Sequence, residues 1–140
     1  MLSKKPRILC IDGKECCEMF DLMLKLDGFD YDFVGADCDE EALAKIENEK
    51  FDLYILEYRL ADLSGIELCR QIRQTDSETP IMFFTGMARP ADRTKAMSAG
   101  ATEYLIKPND LDRFAETIER LLHKSSTVSK ISDGVNDGIY

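Results

Sequence analysis

The sequence predicts one α/β domain, a doubly wound sheet of five parallel strands flanked by five helices. Two observations carry that expectation. Five short apolar runs recur between residues 7 and 106, and stretches with helical apolar spacing separate them. The runs read as continuous apolar segments rather than alternating ones, which is the pattern of strands covered on both faces. Strands alternating with helices imply right-handed crossovers and a parallel sheet.

Each element follows in order. Ile8, Leu9, Cys10 and Ile11 form the first run, ended by Asp12-Gly13. Cys16, Met19, Phe20, Met23 and Leu24 then recur at helical spacing, and Gly28 closes the segment as a C-cap. Residues 31–34 read as the second strand. Asp37, with Glu40 three residues on, predicts the next helix start, and Ala42, Leu43 and Ile46 give it an apolar face. Leu53, Tyr54, Ile55 and Leu56 make the third strand, ended by Glu57. Ser64 and Glu67 form a capping box for a helix whose face is Ile66, Cys69 and Ile72. Pro80 opens the fourth strand, which ends at Thr85-Gly86. Pro90 suits the first position of the fourth helix, and Gly100 terminates it. Tyr104, Leu105 and Ile106 form the fifth strand, ended by Lys107-Pro108. A last helix is expected over residues 110–123, with Leu111, Phe114, Ala115, Ile118, Leu121 and Leu122 on its buried face.

Composition bounds the function. The 140 residues are enough for one domain with its own core. Lys plus Arg number 18 against 27 Asp plus Glu, a net charge of -9. Such a chain is repelled by nucleic-acid backbones, so no direct nucleic-acid partner is expected. No apolar run approaches the roughly 20 residues that span a bilayer, and the start does not read as a signal peptide. The five cysteines form no C-x-x-C pair, and with one histidine a zinc site of ordinary spacing is not expected. They read as small hydrophobes in a reducing, cytoplasmic setting.

In a parallel sheet the strand ends share one rim, where such folds bind ligands. Here the runs end in Asp12, Glu57, Thr85 and Lys107. Two carboxylates, a hydroxyl and an amine therefore converge from four strands. Gly-x-Gly-x-x-Gly and the Walker lysine are lacking, so nucleotide chemistry has little support.

These residues resemble the receiver domain of response regulators, the flavodoxin-like module of two-component and phosphorelay signalling. Thr85, the Ala99-Gly100-Ala101 turn, Tyr104 and the Lys107-Pro108 pair match its motifs, as do Asp52-Leu53 and Gly65 eight residues after Glu57. The resemblance covers residues 6–123 and implies a receiver domain over 1–123; residues 124–140, rich in Ser, Asp and Gly without periodicity, read as a flexible C-terminal tail. It implies a non-enzymatic signalling module, with Thr85, Tyr104 and Lys107 as the switch and Pro108 as a cis-proline candidate. It also implies protein partners, a histidine kinase or a downstream signalling protein, and no membrane.

Two departures fall in the acidic pocket. Family members carry a second acid after the first strand, and this chain has Asp12 followed by Gly13. They carry a phosphoacceptor aspartate after the third strand, and this chain has Glu57, one methylene or roughly 1.5 Å longer. A smaller departure is Ala61, where proline is usual. Mg²⁺ demands near-octahedral oxygen ligation, and in-line phosphoryl transfer is sensitive to displacements of this size. No cofactor is therefore expected. Weak Mg²⁺ binding, if any, would use Asp12, Glu57 and the Arg59 backbone carbonyl.

The expectation is a degenerate, phosphorylation-independent receiver acting through protein contacts. The alternatives are a receiver retaining weak Mg²⁺-dependent phosphoryl transfer, or part of a regulator whose enzyme or DNA-binding output lies elsewhere. Two readings of Glu57 stay open: it meets Lys107 and Thr85 and holds an activated-like state, or it points to solvent in an inert domain. Arg59 is a candidate to place its guanidinium near Asp12 and Glu57. A homodimer through helix 4, strand 5 and helix 5 would use Arg89, Arg93, Lys95, Arg113 and Arg120 among Asp92, Asp112, Glu116 and Glu119.

Overall fold

The computed structural model describes residues 5–61 and 63–123. The strands are β1 (Arg7–Ile11), β2 (Asp32–Ala36), β3 (Leu53–Leu56), β4 (Ile81–Thr85) and β5 (Glu103–Ile106). The helices are α1 (Lys14–Leu26), α2 (Asp39–Asn48), α3 (Gly65–Thr75) and α4 (Pro90–Ser98), with α5 over residues 114–123. The sheet order is β2-β1-β3-β4-β5, every pair parallel, as the doubly wound expectation required.

Burial explains the apolar runs. Every residue of β3 and β4 is buried, and so is β1 from Ile8 onward, because helices cover both faces. Successive residues face opposite sides. Ile8, Cys10, Leu53, Ile55, Met82, Phe84 and Leu105 pack with Phe20, Leu24, Phe114, Ile118 and Leu121 of α1 and α5. Leu9, Ile11, Tyr54, Leu56, Phe83 and Tyr104 pack with Ala42, Leu68, Ile72 and Ala96 of α2, α3 and α4.

Several expected boundaries move. The second strand runs later than 31–34 because it is an edge strand pairing Asp32 to Ala36 with β1, and only Ala36 is fully buried. Asp37 does not cap α2. Cys38 holds that position without a side-chain bond, and the Asp37 amide donates instead to Glu41 Oε1 (3.2 Å). Ser64 caps α3 by accepting from the Glu67 amide (3.1 Å), but the Glu67 carboxylate pairs with Arg70 rather than closing the box. Pro90 opens α4 as expected, and Gly100 ends it at φ +115°, where side-chain-bearing residues are strained. The last helix is preceded by a 3₁₀ turn, Leu111–Arg113, which leaves Leu111 exposed rather than in the core. Asp110 fastens this turn by accepting from the Ile106 amide (2.9 Å). Among the described residues no helix is long and apolar enough to cross a membrane. The tail expectation, residues 124–140, lies outside the described residues.

Candidate functional site

The rim is built as the parallel topology dictates. Asp12 follows β1, Glu57 follows β3, Thr85 ends β4 and Lys107 follows β5. Lys107 is the centre. Its Nζ donates to Asp12 Oδ2 (2.8 Å) and to Glu57 Oε1 (3.0 Å), with Cys16 Sγ at 3.9 Å. The rings of Phe20 and Phe84 lie 5.6 and 5.9 Å from the ammonium. Burial alone would lower the pKa of Lys107. The hydrogen bonds and charges of Asp12 and Glu57 outweigh it and hold the value well above that of a free lysine.

Glu57 is saturated at its second oxygen. Oε2 accepts from the Tyr58 amide (2.6 Å), the Arg59 amide (3.3 Å) and the Thr85 hydroxyl. While its O–H donates to Glu57, the Thr85 hydroxyl oxygen accepts from the Met87 amide (3.2 Å). The Met87 carbonyl in turn accepts from Tyr104 Oη (2.6 Å). The Met87 backbone therefore links the two, its amide bonded to Thr85 and its carbonyl to Tyr104. The Tyr104 ring is buried and stacks on Phe83 at 5.7 Å, and burial raises its hydroxyl pKa.

Gly65 sets how closely α3 approaches this loop. A Cβ there would lie 2.2 Å from the Glu57 carbonyl oxygen, so only glycine fits. Its amide donates to the Tyr58 carbonyl (2.8 Å) and closes the turn that carries Glu57. Gly13 is different: a Cβ there would meet nothing within 4 Å. Glycine at 13 is not a packing requirement. The Lys107–Pro108 peptide is cis.

The site thus gathers Asp12, Glu57, Thr85 and Lys107, with Tyr104 linked through the Met87 backbone. Arg59 is not gathered: its guanidinium Nε faces Met87 Sδ (3.2 Å), and its backbone amide, not its charge, reaches Glu57. Sequence reasoning missed Met87, the Tyr58 amide and Cys16. The first two act through backbone atoms, which carry no residue signature.

A model of the response regulator receiver domain matches residues 8–119. The chain belongs to this family. The alkaline phosphatase synthesis transcriptional regulatory protein PhoP of Bacillus subtilis is 33% identical over 131 residues, covering 94% of this chain and 54% of PhoP. Transcriptional regulatory protein ZraR of Salmonella typhimurium is 32% identical, over 87% of this chain and 27% of ZraR. The receiver therefore spans about half or less of these relatives. A two-component response regulator from Clostridium difficile superposes with TM-score 0.76 at 32% identity, over 85% of this chain and 97% of that one.

Receivers use Mg²⁺ in phosphorylation, and this pocket offers such an ion fewer acidic groups than the family's, with Gly13 beside Asp12. The Lys107 ammonium pairs with both Asp12 and Glu57. Asp12 Oδ1 is turned to the Gly13 amide (2.6 Å), and Gly13 supplies no third carboxylate. Mg²⁺ held here would have only Asp12, Glu57 and the Arg59 backbone carbonyl from the protein, with waters completing its octahedron.

Proposed function

We propose that this receiver signals without phosphorylation, Glu57 taking the place of a phosphorylated acceptor. The observation that carries the reading is that one side chain engages both halves of the switch. Glu57 Oε1 takes the Lys107 ammonium and Oε2 takes the Thr85 hydroxyl, the groups that meet the acceptor's phosphoryl oxygens in the family. With Thr85 drawn to Glu57, the Met87 backbone receives Tyr104 and the ring stays inside. This arrangement supports the activated-like reading of Glu57 over the inert one. The domain is then a non-enzymatic, cytoplasmic module with no cofactor. It presents a fixed surface to a protein partner, a histidine kinase or a downstream signalling protein, rather than to nucleic acid or a membrane.

A homodimer through α4, β5 and α5 remains part of this proposal, with one change in its charge set. Asp92 is 1% exposed and bound to the Arg89 guanidinium (3.1 Å), so it shapes the start of α4 instead of meeting a partner. Arg93, Lys95, Arg113 and Arg120 supply the positive side.

The competing reading is residual Mg²⁺-dependent phosphoryl transfer to Glu57. Incubation with a small phosphodonor and Mg²⁺, read by intact mass, separates the two. The proposal expects no phosphoryl gain and a thermal midpoint unmoved by millimolar Mg²⁺, since a ligand that does not bind the native state contributes nothing. A stable phosphoryl adduct overturns it.

A further inference from the structure

The start of α1 carries a feature the switch does not use. Cys17 lies in its second turn, 6% exposed, and its thiol donates to the Cys10 carbonyl (3.4 Å) and approaches the Asp12 carbonyl (3.7 Å). Cys10 is completely buried on β1, on the same side of the sheet, and its register partner is Gly35, the residue that Cys17 packs against. Cys17 also lines a groove of about 340 Å³ between α1, β2 and the start of α2. Gly35 leaves room at its floor, since a Cβ there would press to 3.3 Å from the Cys17 Cβ. The walls carry Asp12, Glu18, Asp21, Asp37 and Glu41 against one lysine, Lys14. An anionic oxidant is repelled from such a groove, whereas a small neutral one enters.

We infer that Cys17 and Cys10 form a peroxide-sensitive dithiol, with Cys17 as the reacting sulfur and Cys10 as the resolving one. The Cys17 sulfur attacks the O–O bond of hydrogen peroxide. It becomes a sulfenic acid and one water leaves. The Cys10 sulfur then attacks the Cys17 sulfur, the S–S bond forms and the sulfenic oxygen leaves as a second water. Two thiols lose two electrons and the peroxide gains them. The bridge ties the beginning of α1 to β1 two residues before Asp12, the carboxylate that holds Lys107. The remaining cysteines are placed elsewhere: Cys69 bonds the Ala99 carbonyl (3.4 Å) in the opposite core, Cys38 begins α2, and Cys16 faces Lys107.

The test is to treat the full chain with hydrogen peroxide, then denature it and alkylate the remaining thiols. Mass measurement follows on the intact chain and on non-reduced tryptic peptides. Cleavage after Lys14 separates the Cys10 peptide from the one holding Cys16 and Cys17. The expected result is loss of two of the five thiols, a link between these peptides that dithiothreitol reverses, and the same link in Cys16→Ser. In Cys10→Ala, dimedone traps Cys17 as the sulfenic acid. The inference is overturned if five thiols survive the peroxide, or if Cys16→Ser abolishes the link. The wild-type and Cys16→Ser maps decide the matter even where a core variant fails to fold.

Discussion

The two sides of the sheet make opposite uses of the same alternation. On the α1 and α5 side, Phe20, Phe84 and Phe114 meet at centroid distances of 4.9 to 5.3 Å, ring against ring. On the α2 to α4 side, Phe83 stacks on Tyr104, whose hydroxyl leaves the apolar layer to bond the Met87 carbonyl. Phe83 and Phe84 are neighbours in β4, as Tyr104 and Leu105 are in β5, and each pair splits between the two layers. One layer supplies cohesion and the other carries a polar path to the pocket. Because the strand period is two, a slip of one residue in β5 would exchange Tyr104 for Leu105 and cut that path.

The largest expected effect breaks the cohesive side. Phe114 is fully buried, so Phe114→Ala should cost about 3–5 kcal/mol, measured by chemical denaturation. A loss under 1 kcal/mol would mean the α5 side is dispensable. Next comes Gly65→Ala on the signalling side, where the new Cβ meets backbone at 2.2 Å. Overpacking of this kind costs about 1–3 kcal/mol. The Glu57 loop would move with it, a change visible in amide spectra of Tyr58 and Met87.

Alkaline pH sharpens the comparison further. The Lys107 pKa is raised, the net of burial lowering it and the Asp12 and Glu57 contacts raising it. Burial pushes the Tyr54 hydroxyl up to about 12 and raises Tyr104 as well. Each folded value lies above its unfolded one, so the stabilisation is whole below about pH 10 and fades as pH rises through the folded values. Denaturation midpoints should hold up to about pH 10 and then fall, with three of the five tyrosines, Tyr31, Tyr54 and Tyr104, ionising late in ultraviolet titration. Stability that grows above pH 10 contradicts the sign. The smallest effect is Tyr104→Phe. It removes the hydroxyl that donates to the Met87 carbonyl and should cost about 1 kcal/mol by chemical denaturation, while the Met87 amide stays bonded to Thr85.

Much of this was legible in the chain. The strands β1, β3 and β4 are nearly continuous apolar runs because both faces are covered, and their polar terminators Asp12, Glu57 and Thr85 are where the rim is. The errors share a cause. Expected strand 31–34 and the Asp37 cap fall around an edge strand whose residues are mostly half-buried, so the apolar pattern there is weak. Leu111 fits the helical period yet is exposed, since a 3₁₀ turn rotates it away from the core.

By itself the sequence determined the order of elements, the layering and the identities at the rim. These follow from local periodicity and from where apolar runs stop. Tertiary structure alone decided the pairing. Lys107 lies 50 and 95 residues from its two carboxylates, and nothing local distinguishes an ammonium between them from one in solvent. Arg59 turned to Met87 while Lys107 took the carboxylates, because a half-buried pocket rewards the cation that both acids surround. The step from Thr85 to Tyr104 runs through the Met87 backbone, which every residue but proline possesses, so only the folded chain reveals it.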